Sequence, residues 1–294
     1  MKLIPISIIC FLLIFIETAN SQMRLAFSAN KNDNWDIFTI DEDGNNLHQI
    51  TNILHDEKTP SQSHDRNKIA YASNDGQLYI FDIRTKRVTP IQIKTQKETI
   101  ITPSFSPSGK YISYAQFIPK GQDDTDLMLY NTETNTSQKI ITQHSTQMWP
   151  TWSPDETKLI YSSLHYSSGS GQIIQELWLT SIFGEWARQL LMTNSFCQQP
   201  DWSPDGKKVA FSSDKSGNFD IWILTIDDWT LKQITFSESL DVRPSWSPDS
   251  KKIAFVSTRS GFMEIWVKTL SDGSLTRLQP FGNKQIECKD VNWR

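Results

Sequence analysis

The residue types that can do acid–base or metal chemistry are few and scattered along this chain of 294 residues. Of its five histidines, His55 and His144 alone fall near one end of the repeats described below, in the loops before the second and fourth copies. A protein-bound zinc or similar ion usually takes three or four ligands. The sequence contains no Gly-x-Ser-x-Gly elbow, no paired catalytic carboxylates and no phosphate-binding loop. We therefore predict no catalytic residues, no cofactor and no metal site; if a metal were bound, His55 and His144 would be the candidate ligands.

Another set of positions changes its chemistry from copy to copy while the surrounding sequence repeats. Each is the residue before the proline that opens a copy, or its equivalent near the C-terminus: Thr59, Thr102, Trp149, Gln199, Arg243 and Asp290. Side chains that differ in this way suit an asymmetric binding site, which needs a few convergent polar groups. The alternative is that they are solvated loop residues that contact nothing specific.

The elements that must position these residues are four short strands in each copy. In residues 199–235, Ser203 to Gly206 (Ser-Pro-Asp-Gly) predicts a type I turn between the first two strands. The copies open at Pro60, Pro103, Pro150, Pro200 and Pro244, and a hydrophobic triplet follows each proline at a constant offset. Four strands in a period of roughly 45 residues are typical of a β-propeller.

The two ends of the chain together predict one more copy. Residues 23–51 repeat the last three strands, and residues 290–294 resemble residues 199–203, with Trp293 in the place of Trp202. We therefore predict an all-β, six-bladed propeller with four-stranded antiparallel blades, closed by the C-terminal strand completing the N-terminal blade. The first strands of propeller blades are innermost, so the six variable residues are expected to form a ring at one mouth of the channel.

Repetition also assigns structural roles. The aromatic residues that recur at strand positions, such as Trp202 and Trp222, are expected to fill the space between blades. An acidic residue before each third strand is expected to pair with a base five residues earlier, or to accept backbone N–H bonds in the turn. Cys197 and Cys288 occupy equivalent positions in blades that are not adjacent, so we expect two unpaired thiols. The acidic set is Asp36, Asp126, Glu176, Asp220 and Glu264, with bases at Lys31, Lys215 and Arg259.

The N-terminal residues 1–21 have the pattern of a secretory signal. Lys2 precedes an apolar run over residues 3–16, which is shorter than the roughly 20 residues of a membrane span. Small residues at Ala19 and Ser21 predict cleavage before Gln22; an uncleaved anchor is the alternative. The domains would be a signal peptide, 1–21, and a propeller, 22–294, exported without membrane insertion. The net charge of −4 without a basic block argues against a nucleic-acid partner.

The repeat PDWSPDGKKVAFSSDKSGNFDIW, residues 200–222, and its copies resemble the repeat of the TolB-like propellers, a branch of the WD-type repeat group. The resemblance covers residues 23–294. TolB proteins carry an α/β domain ahead of the propeller, whereas this sequence enters its first blade directly after the predicted signal. The resemblance implies a periplasmic or secreted, non-catalytic scaffold that binds a protein or peptide partner of the cell envelope. We expect a monomer. The alternative is a propeller-fold enzyme, such as a metal-dependent oligosaccharide lyase or a fragment resembling the propeller of a peptidase.

Overall fold

Runs of β-branched and aromatic residues separated by polar turns make this an all-β protein. The computed structural model describes residues 24–91, 99–117, 125–141, 143, 145–167 and 171–294. The strands of the first half are β1 Arg24–Lys31, β2 Asn34–Asp41, β3 His48–Gln49, β4 Glu57–Gln62, β5 Lys68–Ser73, β6 Leu78–Asp82, β7 Arg87–Ile91, β8 Thr99–Phe105, β9 Tyr111–Phe117, β10 Thr125–Asn131, β11 Thr136–Lys139 and β12 Thr146–Trp152. Those of the second half are β13 Lys158–Ser167, β14 Gln172–Ser181, β15 Ala187–Gln189, β16 Cys197–Trp202, β17 Lys208–Ser213, β18 Asp220–Thr225, β19 Leu231–Gln233, β20 Asp241–Trp246, β21 Lys252–Ser257, β22 Glu264–Thr269, β23 Leu275–Arg277 and β24 Cys288–Trp293.

Hydrogen bonding groups these strands into propeller sheets of antiparallel neighbours. Four sheets have four strands each: β24-β1-β2-β3, β4 to β7, β16 to β19 and β20 to β23. The strands β8 to β15 form one eight-stranded sheet. Within it, β10 and β12 are joined in parallel at a single pair, Thr125 and Thr146. The predicted propeller class is confirmed, but the described residues give five hydrogen-bonded sheets and not six separate ones, because this pair bridges two four-strand meanders.

The C-terminal strand pairs with the N-terminal one. In the antiparallel β24–β1 pair, Trp293 lies opposite Leu25, and Cys288 lies opposite Ala29. Trp293 is fully buried in a cluster that also contains Phe27 and Phe38. Pairing the two termini covers the edge of β1, which would otherwise present unpaired backbone groups.

The turn between the first two strands of a blade is fixed by its own side chains. The Ser203 hydroxyl donates to Oδ1 of Asp205 at 2.6 Å and accepts the backbone N–H of Lys208 at 2.9 Å. Gly206 closes the turn at φ 76°, where a side chain would be strained. The same serine–aspartate bond forms in the blade where His64 replaces the proline, and His64 itself is exposed. The predicted turn is confirmed.

The aromatic repeat positions pack between sheets, as predicted. Trp246 and Trp293 are completely buried, and Trp202 retains 8% exposure. The outer row, represented by Trp222 and Trp266, is half-buried. Cys197 and Cys288 are buried and unpaired, as expected.

The predicted pairing of acids with bases five residues earlier is wrong in the blade of β20 to β23. There Arg259 donates to Asp241 at 2.6 Å, while Glu264 pairs with Arg277. Asp220 likewise accepts bonds from Gln233 and other groups that hold β19 against β18. These two acids therefore join the short outer strand to a serine of the hairpin before the third strand: Asp220 also accepts the hydroxyl of Ser216, and Glu264 that of Ser260. Among the described residues, no helix is long and apolar enough to cross a membrane.

We predict that Trp293→Ala lowers the free energy of unfolding by about 3–5 kcal/mol, because it empties a fully buried site at the junction of the two termini. Urea denaturation followed by circular dichroism measures the change. Trp229→Ala is the control, since Trp229 is 49% exposed and should change stability by no more than about 0.5 kcal/mol. Equal effects of both substitutions would contradict closure by this strand.

Candidate binding site at the channel mouth

The six variable residues predicted from the sequence line a single cavity of about 100 Å³. Thr59, Thr102, Trp149, Gln199, Arg243 and Asp290, hereafter the mouth ring, come from β4, β8, β12, β16, β20 and β24. The five opening prolines line the same cavity. The structure therefore brings all six residues together around one cavity.

Each mouth-ring residue has a left-handed backbone, with φ between 53° and 59°. In every inner strand the pairing register shifts at this residue, as between Gln198 and Asp201 or between Val242 and Ser245. Such a bulge leaves residues outside the ladder, which is where proline, lacking an N–H, is tolerated. The X-Pro pair thus bends the strand at the mouth. A left-handed non-glycine residue costs about 1–3 kcal/mol and persists only where its surroundings determine it.

Hydrogen bonds between neighbouring inner strands hold these backbones. The backbone N–H of Trp149 donates to Oγ1 of Thr102 at 3.2 Å, and that of Arg243 donates to Oε1 of Gln199 at 3.0 Å. The backbone N–H of Thr59 donates to Oδ2 of Asp290 at 3.3 Å. At three of the six positions, the side chain on one blade therefore holds the mouth-ring backbone of the next, which orders these backbones before any ligand arrives.

One ion pair lies in the ring. Nη1 of Arg243 contacts Oδ1 of Asp290, and the other oxygen of Asp290 accepts the hydroxyl of Ser28 at 3.2 Å. The Arg243 side chain is 26% exposed and that of Asp290 only 3%. A guanidinium held in this way keeps free N–H donors for a ligand, whereas the buried carboxylate mainly orients it.

Below the ring, Asp201 joins three blades. Its Oδ2 accepts the backbone N–H of Trp246 at 2.7 Å and the hydroxyl of Ser245 at 3.2 Å. Its Oδ1 accepts a bond from Nη2 of Arg294 at 2.9 Å. Asp201 is satisfied by these partners and is buried, so it supports the cavity floor.

The partly exposed side chains of the ring are suited to recognition. Trp149 and Arg243 are both half-buried and stand on different blades. An indole ring and a guanidinium offer stacking and charge-assisted hydrogen bonds to one ligand. The indole N–H of Trp149 and the hydroxyl of Thr59 are buried and have no hydrogen-bond partner among the described residues.

Of the two metal candidates, only His55 is among the described residues, and it does not line this cavity. His55 is exposed, and His144 lies outside the described residues. Within the part of the chain that the structure describes, no group of three or more His, Cys, Asp or Glu residues could hold a metal ion.

Sequence reasoning missed the residues immediately outside the ring. Lys58 and Lys289, which precede Thr59 and Asp290, both face the indole ring of Trp35. Glu57, one residue further out, is fully buried, and neither carboxyl oxygen has a hydrogen-bond partner among the described residues. Burial, with the charges of Asp36, Asp56 and Asp75 adding to it, raises the pKa of Glu57 to about 8. Comparison of the copies would have shown that, among the residues directly before the ring, only Lys58 and Lys289 are lysines, but not that Trp35 lies beside both.

Comparison with known proteins agrees with this geometry. The model of the TolB beta propeller domain matches residues 20–176 and 175–290. The chain belongs to the TolB beta propeller domain family. A Protein TolB homolog from Chlorobium chlorochromatii (strain CaD3) is 29% identical over 143 residues, which are 48% of this chain and 31% of that protein. The match thus spans about a third of the length of this curated relative.

Solved structures show the same fold. TolB from Acinetobacter baumannii superposes with a TM-score of 0.76 at 20% identity, covering 92% of this chain and 66% of that one. An oligogalacturonate lyase in complex with manganese superposes with a TM-score of 0.64 at 15% identity, covering 86% and 73%. The TolB beta propeller fold is therefore common to a TolB protein and a lyase, and identities this low establish the fold alone.

We predict that Glu57 makes stability fall as pH rises. A carboxyl whose pKa is about 8 in the folded protein and near 4.5 when unfolded keeps its proton only in the folded state between these pH values. Its contribution is fully present below about pH 4.5 and lost as pH passes 8, with a slope of at most about 1.4 kcal/mol per pH unit.

Urea denaturation at intervals from pH 4.5 to 9 measures this slope. Glu57→Gln, which keeps the shape without the ionisation, should remove it. Glu133→Gln, at an exposed carboxylate, is the matched control and should leave the wild-type slope unchanged. A slope that survives Glu57→Gln would assign the effect to another group.

Proposed function

We propose that this protein is an exported, non-catalytic scaffold that binds a protein or peptide partner at the mouth ring. The observation that carries the proposal is the convergence of six side chains of five different types on one cavity, all on backbones of the same conformation. A purely structural ring would repeat its side chains, as the turn serines and aspartates do. Side chains that vary on backbones of the same conformation favour a role in recognising a ligand.

A protein or peptide suits this cavity better than a small molecule. The space within the ring is only about 100 Å³, well below the several hundred Å³ typical of a small-molecule pocket. The half-exposed Trp149 and Arg243 are residue types that dominate protein–protein binding energies. A partner would therefore insert one or two side chains at the mouth and rest on the surrounding loops.

The rigidity of the ring favours tight binding. Backbones already fixed by bonds between blades lose little conformational freedom when a ligand is bound, so less of the interaction energy is offset by ordering. The mechanism is display of a preformed surface, with no covalent step.

The proposal includes the number of blades and the location of the protein. We take the eight-stranded sheet as two blades, β8 to β11 and β12 to β15, joined by one residue pair, which makes six blades. Residues 1–21 act as a signal peptide cleaved before Gln22, and the monomeric propeller of residues 22–294 works in the periplasm or outside the cell, on a partner from the cell envelope. The apolar run over residues 3–16 and the TolB-type repeat support this assignment.

The test is quantitative capture from a detergent-solubilised envelope fraction. Any partner identified with the wild type is then titrated as a purified protein. We expect Trp149→Ala and Arg243→Ala each to weaken binding at least tenfold, because both truncate anchors at the centre of the surface.

Matched controls lie outside the cavity. Trp229→Ala and Lys232→Ala remove an exposed aromatic residue and an exposed cation elsewhere, and both should bind as the wild type does. Binding that is insensitive to the mouth-ring variants would overturn the proposal. Near-stoichiometric manganese, calcium or zinc in the purified protein, lost in His55→Ala, would overturn the non-catalytic interpretation in favour of a metal-dependent lyase.

A further inference from the structure

Two lysines from neighbouring sheets converge on one tryptophan at the rim of the mouth ring. Nζ of Lys289 lies 3.7 Å from the ring centroid of Trp35, and Nζ of Lys58 lies 5.8 Å from it. Trp35 is in β2, close to the β1–β2 turn, and its backbone N–H donates to Oδ1 of Asp56 at 3.2 Å. Three elements thus place two ammonium groups around one indole ring, and the two lysines directly precede Thr59 and Asp290 in the sequence.

The charges at this rim do not balance. Nζ of Lys58 forms an ion pair with Oδ2 of Asp56 at 2.9 Å, and Asp290 is already paired with Arg243. Among the described residues Lys289 has its contact with Trp35 and no carboxylate within ion-pair distance. Burial lowers the pKa of Lys289, the nearby charges of Lys58 and Arg243 lower it further, and Asp290 opposes both. The rim therefore carries one surplus, partly desolvated positive charge.

A half-buried cation without a counter-ion carries an unfavourable desolvation free energy, and a bound anion offsets part of it. The indole of Trp35 compensates in part through a cation–π contact, which holds the ammonium in position without using its N–H donors. Lys289 is therefore oriented and still able to donate hydrogen bonds. A group with a single negative charge matches the one surplus positive charge at this rim.

We propose that Lys289, held by Trp35 and flanked by Lys58, forms a carboxylate subsite that recognises an acidic group of the partner bound at the mouth ring. This inference rests on the proposed function and specifies the chemistry of the partner: a carboxylate beside the residues that contact Trp149 and Arg243. The carboxylate comes from an aspartate or glutamate side chain or from the C-terminus of a polypeptide. Both sources present the same two oxygens to the lysine.

The experiment follows the indole N–H resonance of Trp35 in the full-length protein by NMR, assigned with Trp35→Phe. Three probes are titrated: N-acetyl-glutamate α-amide, which has a side-chain carboxylate only; N-acetyl-glutamine, which has a terminal carboxylate only; and N-acetyl-glutamine amide, which has none. We expect a saturable shift with at least one carboxylate and none with the neutral amide. The stronger carboxylate identifies the source.

Variants separate the subsite from general charge effects. Lys289→Met keeps the length of the side chain and removes the charge, so the protein should fold with unchanged or higher Tm and bind the carboxylate about tenfold more weakly. Lys232→Met, at an exposed lysine, should bind as the wild type does. Equal affinity in Lys289→Met, no shift with either carboxylate, or equally strong binding of inorganic phosphate would overturn the carboxylate subsite.

Failure of this inference differs from failure of the proposed function. A partner whose binding weakens with Trp149→Ala and Arg243→Ala but not with Lys289→Met would leave the mouth ring in place and remove the subsite. A partner insensitive to all three would remove both.

Discussion

The structure depends on hydrogen bonds that pass from the backbone of one inner strand to a short polar side chain on the preceding one. The backbone N–H of Trp246 donates to Asp201 at 2.7 Å, and that of Trp293 donates to Ser245 at 3.0 Å. The same bond joins three more neighbouring pairs: Phe105 to Ser61, Trp202 to Thr151 and Gln62 to Asn292. The five strands that donate these bonds, β4, β8, β16, β20 and β24, are edges of their sheets, so these amides would otherwise lack partners. Apolar packing between blades has no preferred register, and these directional bonds supply one.

The same arrangement explains why the mouth can vary. Residues two positions after each mouth-ring residue are restricted to small polar side chains, because the next blade needs an acceptor there. The mouth ring itself contributes through a bulge and a proline, which require only its backbone. Its side chains are therefore free to differ, and Thr102 and Gln199 use that freedom to hold the next backbone. The residues two positions after the mouth ring are thus restricted in type, whereas the mouth-ring side chains can vary on a backbone of constant conformation.

Features that repeat in every copy were predictable from the sequence, and features that depend on one neighbour were not. The turn at Ser203, the buried tryptophans and the pairing of β24 with β1 follow from a constant offset, since insertions enter loops and leave the strand positions unchanged. The ion-pair partner of Arg259 could not be predicted in this way. The spacing within a hairpin does not tell which neighbouring strand brings a carboxylate closest to the arginine. The single pair between Thr125 and Thr146, which joins two meanders into one sheet, likewise depends on local approach. All six mouth-ring residues were identified, whereas Lys58 and Lys289 were missed because their role appears only when Trp35 lies between them.

One repeat position shows how this scaffold tolerates charge imbalance. Asp241 and Glu57 lie two residues before the mouth ring on their strands, opposite Ser257 and Ser73. Two residues beyond Ser257 is Arg259, which neutralises Asp241; two residues beyond Ser73 is Asp75, an acid, so Glu57 has no cation there. The blade that holds this unneutralised acid also contributes Lys58 to the rim where Lys289 is an unneutralised base. A propeller accepts such local costs because each blade contacts only its neighbours and stability is summed over many interfaces. Both exceptions to the repeat fall where the second blade meets the closed first blade, so in this sector the mouth ring is flanked by a buried acid without a cation and by a base without a carboxylate.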